Sequence, residues 1–203
     1  MNFIFHQGKP AAPVLVLLHG TGGDERSLLD LGHDLDPQAS LLGIRGNVLE
    51  NGMPRYFKRL AEGIYDEEDL MFRGQELAAF IQEVAKEKGF SIEQVVLVGY
   101  SNGANIALNL LLEFSALFQK AILYHPMYPV SKLPNHLLAQ TNVFMSFGLK
   151  DPIVSVEDSK YVQAIFESRG AQIEYVWTPS HQLTYQEVVK SQAWYKELGR
   201  DYW

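Results

Sequence analysis

Short runs that are apolar at every position alternate along this chain with longer segments that are apolar at every third or fourth. Few folds accommodate both patterns. Val14-Leu15-Val16-Leu17-Leu18, Leu41-Leu42-Gly43-Ile44, Val95-Val96-Leu97-Val98, Ala121-Ile122-Leu123-Tyr124, Val143-Phe144-Met145 and Ile173-Glu174-Tyr175-Val176-Trp177 read as strands. Most have no polar face, as parallel strands covered on both sides require. Between them, residues 69–88 put Leu70, Leu77, Phe80, Ile81 and Val84 on one helical face and stop at Gly89, a suitable residue to follow a helix. Residues 102–114 repeat the pattern with Ile106, Leu110, Leu111 and Phe114. Residues 156–168 stop at Arg169-Gly170, and residues 184–198 carry Val188, Val189, Trp194 and Tyr195. The alternation predicts an α/β protein: a mostly parallel central sheet with helices on both faces and its working residues in loops at the carboxyl ends of strands. No repeat, low-complexity tract or Pro/Ser-rich linker interrupts it, so residues 1–203 are expected to form one domain.

Charge and composition remove several classes of function. Lys and Arg total 17 against 24 Asp and Glu, a formal charge of −7, which argues against nucleic acid or an anionic membrane as the main partner. Cysteine is absent, which excludes disulfides, thiolate catalysis and cysteine-ligated zinc. The opening Met1-Asn2-Phe3-Ile4-Phe5-His6 has no basic region followed by an apolar one, so a cytoplasmic location is expected. The apolar run Val14–Leu18 is far short of the roughly 20 residues that cross a bilayer.

Gly99-Tyr100-Ser101-Asn102-Gly103 follows one predicted strand directly and opens a predicted helix. That is the context of the G-x-S-x-G nucleophile elbow, a turn so tight that bulk beside the serine is excluded. A serine hydroxyl needs an adjacent base, itself held by an acid. With such an elbow the chain order is Ser, then Asp or Glu, then His. His181 is the one histidine beyond residue 151, and it follows the strand ending at Trp177. Asp151 lies just past the strand that begins at Val143, whereas Glu157 and Asp158 suit a helix N-terminus and Asp24 and Glu25 suit helix capping. The expected triad is Ser101, Asp151 and His181. His125 ends a strand and either lines the site or packs beneath it. No histidine spacing suggests a metal, and none is expected.

His19-Gly20-Thr21-Gly22-Gly23-Asp24 follows the first strand and lacks the pattern of a phosphate-binding loop. Its backbone is free to turn N–H groups inward. Thr21 N–H and Asn102 N–H are the expected oxyanion donors.

Together with Gly52-Met53-Pro54-Arg55-Tyr56-Phe57, Asp151-Pro152-Ile153 and His181-Gln182-Leu183-Thr184, these motifs resemble the carboxylesterase/phospholipase branch of the α/β-hydrolases. They are most similar to its MhqD-like carboxylesterases, a bacterial group associated with quinone stress. The resemblance spans residue 14 to about residue 190. It implies an α/β-hydrolase fold with a minimal lid or none, acting on small carboxylic esters without a cofactor. Ser180 departs from the glycine usual before the histidine.

Only residues 126–141 separate two strands where related enzymes insert a cap, which leaves no room for a domain. Residues 46–68 are the better candidate for a substrate wall, with Met53, Tyr56, Phe57, Met127 and Tyr128 as an apolar pocket or as ordinary packing. Arg55, Lys58 and Arg59 read more simply as a solvated basic face than as a contact for an acidic substrate. Three functions remain open: a serine esterase for small-molecule esters, a thioesterase or lysophospholipase with the same triad, and a silent hydrolase-fold binding protein. A homodimer is also open, with the tail Asp201-Tyr202-Trp203 as one place for an interface.

Overall fold

Successive side chains of a strand point to opposite faces, so an all-apolar strand feeds two cores at once. In β2 (Val14–Leu18), Val14, Val16 and Leu18 enter one hydrophobic cluster while Leu15 and Leu17 enter another. The computed structural model describes residues 1–202, with side chains as far as Gly199, so the tail Asp201-Tyr202-Trp203 lies outside the fully described residues. The remaining strands are β1 (Phe3–His6), β3 (Ser40–Ile44), β4 (Val48–Glu50), β5 (Met53–Arg55), β6 (Arg59–Ala61), β7 (Ile64–Tyr65), β8 (Val95–Tyr100), β9 (Lys120–Tyr124), β10 (Asn142–Gly148) and β11 (Gln172–Thr178). The helices are α1 (Leu29–Leu35), α2 (Glu67–Lys88), α3 (Asn102–Glu113), α4 (Val156–Glu167) and α5 (Tyr185–Tyr202).

Seven strands form one sheet in the order β1-β3-β2-β8-β9-β10-β11, parallel throughout except for β1 against β3. Leu77 and Ile81 of α2, Leu110 of α3 and Phe166 of α4 cover one face; Leu31 and Leu35 of α1 and Tyr195 of α5 cover the other. Each fully buried Leu or Ile contributes about 1.5–3 kcal/mol relative to exposure. Helix ends obey local chemistry. The Asp66 carboxylate accepts the Asp69 N–H at the start of α2, and Gly89 ends it in the left-handed region at φ 76°.

Several expectations change. The edge strand β1 was not foreseen; it is short, polar at His6, and held by Phe3 against Phe80 and Phe5 against Phe90. Asp24 and Glu25 do not cap a helix. Asp24 accepts the Arg26 N–H and the Ser27 hydroxyl within a turn, Glu25 pairs with Arg45 at 2.7 Å, and α1 begins later with no side-chain cap. Val189 is exposed, because α5 presents Val188 and Tyr195 to the sheet instead. Residues 126–141 contain neither helix nor strand, so no cap domain sits over the sheet there. Residues 46–68 form the hairpins β4–β5 and β6–β7. Among the described residues, no helix is long and apolar enough to cross a membrane.

Candidate active site

One residue makes the whole turn from β8 into α3. Ser101 adopts φ 52°, ψ −115°, a region that costs a non-glycine residue on the order of 1–2 kcal/mol. Its N–H donates to Tyr124 O at 2.9 Å and its carbonyl accepts the Asn105 N–H at 3.0 Å, which hold it there. The flanking glycines are required by contact. A Cβ on Gly99 would meet Gly103 O at 2.5 Å, and one on Gly103 would meet Leu18 O at 1.9 Å.

The His181 ring reaches the serine from the loop after β11. His181 Nε2 lies 2.9 Å from Ser101 Oγ, and Nδ1 lies 2.6 Å from Asp151 Oδ2. Asp151 is an acceptor on both oxygens, since Oδ1 takes the N–H groups of Ile153 at 2.7 Å and Val154 at 2.9 Å. An ionised Asp151 fixes the tautomer: Nδ1–H donates to it, leaving the Nε2 lone pair toward the serine hydroxyl. The two loops are laced together by Leu149 N–H to Thr178 O and Lys150 N–H to Pro179 O. Ser180 fits without strain, since it is not among the residues of positive φ, and its carbonyl accepts the Thr178 hydroxyl at 3.1 Å. The Tyr100 hydroxyl donates to His181 O at 3.1 Å. Burial, then the charges of Glu187 and Asp151, push the Tyr100 phenol up, so it remains a donor.

Among the described residues, the N–H groups of Thr21 and Asn102 donate to no protein acceptor, and both residues line the cleft that contains Ser101. The glycine loop is held from below by His19. Its Nε2 accepts the Gly46 N–H at 3.1 Å, so the proton sits on Nδ1 and is donated to Gly20 O at 2.6 Å. Burial lowers the His19 pKa and keeps the ring neutral in this role.

The cleft measures about 360 Å³ and is lined by Thr21, Arg55, Arg59, Tyr65, Ser101 and Met127, among others. Of the five residues suggested for an apolar pocket, Met127 is in the lining. Met53 is exposed and lies over Gly22. Tyr56, Phe57 and Tyr128 turn away into the core. The Tyr56 hydroxyl accepts the His19 N–H and donates to Ile44 O; Phe57 packs edge-on against Tyr65; the Tyr128 hydroxyl accepts from Asn109. Arg55 is not a solvated residue but a buried one, 5% exposed. A larger recess of about 920 Å³ lies at the amino ends of β2 and β8, away from the triad and opposite to where such sheets bind ligands.

Two residues beneath the triad carried no pairing signal in the sequence. His125 Nε2 lies 3.0 Å from Glu187 Oε2, and His125 Nδ1 lies 3.7 Å from Asp151 Oδ2, all with fully buried side chains. Ligand atoms of His125, Asp151 and His181 fall within 4.8 Å of one another. Tetrahedral metal ligands at about 2.0–2.1 Å stand roughly 3.3 Å apart. The 2.6 Å between His181 and Asp151 is the spacing of a hydrogen bond.

A mostly parallel sheet, an elbow serine and a Ser–His–Asp line at the strand ends define an α/β-hydrolase. Residues 1–196 match the phospholipase/carboxylesterase family model, and the chain belongs to that family as an esterase-type hydrolase. MhqD of Bacillus subtilis, described as a hydrolase, is 46% identical over 198 residues, 97% of this chain and 98% of the relative. A Bacillus cereus carboxylesterase structure superposes with a TM-score of 0.94 at 48% identity, covering 97% of this chain and 94% of that one. YahD, solved with malic acid, gives a TM-score of 0.92 at 32% identity, covering 97% and 98%.

Proposed function

We propose that this enzyme hydrolyses small carboxylic esters through an acyl-enzyme on Ser101. The observation that carries the reading is the continuous line from Asp151 Oδ2 to His181 at 2.6 Å and from His181 to Ser101 Oγ at 2.9 Å. His181 Nε2 takes the hydroxyl proton as Oγ bonds the ester carbonyl carbon. The negative charge that develops on the carbonyl oxygen is met by the Thr21 and Asn102 N–H groups; a donor of this kind is typically worth about 10²–10³ in kcat. Collapse breaks the bond to the alcohol, which leaves with the proton from Nε2. Water then attacks the acyl carbon, gives its proton to His181, and releases the acid as the proton returns to Ser101. Every transferred atom comes from the ester, the triad or water.

The compact cleft without a cap favours short esters over long-chain thioesters or lysolipids. The test is Ser101→Ala with p-nitrophenyl acetate, expected to lower kcat by about 10⁴–10⁶, alongside fluorophosphonate labelling of wild type. A loss below about tenfold would assign the nucleophile elsewhere. Higher kcat/KM on palmitoyl thioester than on short esters would favour the thioesterase reading.

A further inference from the structure

We propose that Arg55 and Arg59 form a carboxylate-binding subsite beside Ser101, and that the preferred ester carries a second, anionic carboxylate group. This rests on the acyl-transfer reading of Ser101 and names its substrate class.

A guanidinium is seldom buried unless its charge is met. The Arg55 side chain is 6% exposed, yet its ionic partner is shared. Glu50 lies 3.3 Å from Arg55 Nε and also takes Arg59 Nε at 2.9 and 3.1 Å. One carboxylate thus serves two guanidinium groups, both on their Nε edges, and one positive charge is left over. Arg55 Nη1 donates to Thr21 Oγ1 at 2.8 Å. Arg55 Nη2 and both terminal nitrogens of Arg59 bond nothing among the described residues, while both side chains line the cleft that holds Ser101 and His181. Planar forks of N–H donors match a carboxylate in geometry as well as charge.

Glu62 also lines this cleft and brings a negative charge to its rim. It is exposed and makes no ion pair with either arginine, so it lowers the field at the rim and leaves the inner site at Arg55 positive. Burial, followed by the charge of Arg59, lowers the Arg55 pKa, and the charge of Glu50 opposes that shift. Arg55 is bonded to Thr21, the residue whose N–H faces the developing oxyanion. The extra charge of the substrate therefore sits close to the carbonyl under attack.

Two matched ester pairs test this. p-Nitrophenyl butyrate and mono-p-nitrophenyl succinate place the charge in the acyl part; phenyl acetate and 4-carboxyphenyl acetate place it in the leaving group. Wild type is expected to show kcat/KM at least about tenfold higher for the charged member of one pair, the scale of one charge-assisted hydrogen bond. Arg59→Gln, at a partly exposed position, should lower that charged-to-neutral ratio about tenfold, and Arg55→Lys should lower it even where the fold is kept. Lys58→Gln, exposed and outside the cleft lining, should leave the ratio unchanged, which separates a local site from the overall field. Equal or better turnover of the neutral member in both pairs overturns the proposal, and so does a ratio that Arg59→Gln does not move. Either failure is distinct from failure of the acyl-transfer reading, in which fluorophosphonate would not label Ser101 and the neutral esters would also go uncleaved.

Discussion

The His125 ring rests 3.0 Å from the Glu187 carboxylate, with both side chains fully buried and the pair set outside straight hydrogen-bond geometry. Glu187 is the third residue of α5 and is also bonded by the Thr184 N–H. His125 closes the strand beside the elbow in a left-handed conformation at φ 54°. The pair therefore joins α5 to the floor beneath Asp151.

Removing the Glu187 carboxylate strands the buried His125 ring and the Thr184 N–H, so Glu187→Ala should cost about 1–3 kcal/mol in urea unfolding, and Glu187→Gln less. Burial raises the Glu187 pKa, but His125, Ser146 and the Thr184 N–H outweigh it and hold the carboxyl below its ordinary 4.5. A depressed carboxyl stabilises the fold fully above its unfolded value and loses that contribution as pH falls through the folded one. The stability gap between wild type and Glu187→Gln should accordingly narrow below pH 4.5. A gap that widens there would mean the carboxyl is protonated in the native state.

How much of this was legible in the sequence follows the range of the interactions. The elbow is written locally, because Gly99 and Gly103 are demanded by contacts within one turn and one neighbouring strand. The meeting of Ser101, Asp151 and His181 was also legible, since each sits just past a strand end and parallel strands bring those ends together. What the pattern hid was the facing of side chains in very short strands and the turns between them. In the segment 53–59 no period of two or 3.6 tells which residues point inward, so Tyr56 and Phe57 were candidates for a wall they do not line, and Arg55 passed for a surface residue. The His125–Glu187 contact is invisible for a related reason: residues far apart in sequence, on a strand end and a helix start, meet only when α5 docks.

Tyr56 explains why that wall segment matters without touching the cleft. Its hydroxyl bridges the His19 N–H and Ile44 O at 2.9 and 2.6 Å, and its own N–H donates to the Asn102 side chain at 2.8 Å. Burial raises the phenol well above its usual range, so it always carries the proton that Ile44 accepts. Tyr56→Phe leaves two backbone groups unpaired and should destabilise the protein by about 1–3 kcal/mol. The slackened His19 loop should also lower kcat, by less than the roughly 10²-fold typical of losing an oxyanion donor. Unchanged stability with unchanged kcat would count against this bracing role.

Gly103 and Gly52 separate contact from conformation. A Cβ at Gly103 meets the Leu18 carbonyl at 1.9 Å, whereas a Cβ at Gly52, with φ 79°, meets nothing within 4 Å. Gly103→Ala should therefore cost about 3 kcal/mol or more, by forcing β2 and α3 apart. Gly52→Ala should cost only the backbone penalty of about 1–2 kcal/mol. Chemical denaturation of both variants measures the difference, and equal losses would contradict the close approach of α3 to β2.

Asp151→Asn probes the orientation of the base more sharply than its removal. The amide keeps an oxygen that can accept the Ile153 and Val154 N–H groups, so the loop has reason to hold its shape. What then faces His181 Nδ1 is an NH₂ donor in place of a carboxylate, at the position where the present distance is 2.6 Å. The imidazole must answer with its Nδ1 lone pair and move its proton to Nε2. That nitrogen can then no longer accept the Ser101 proton across the 2.9 Å contact. A fall in kcat of about 10⁴ is expected from the wrong tautomer alone, with unfolding free energy changed far less than by Glu187→Ala. If kcat falls by less than about tenfold while the variant is folded, the carboxylate is not what sets the histidine, and the buried Glu187 becomes the acid to examine next.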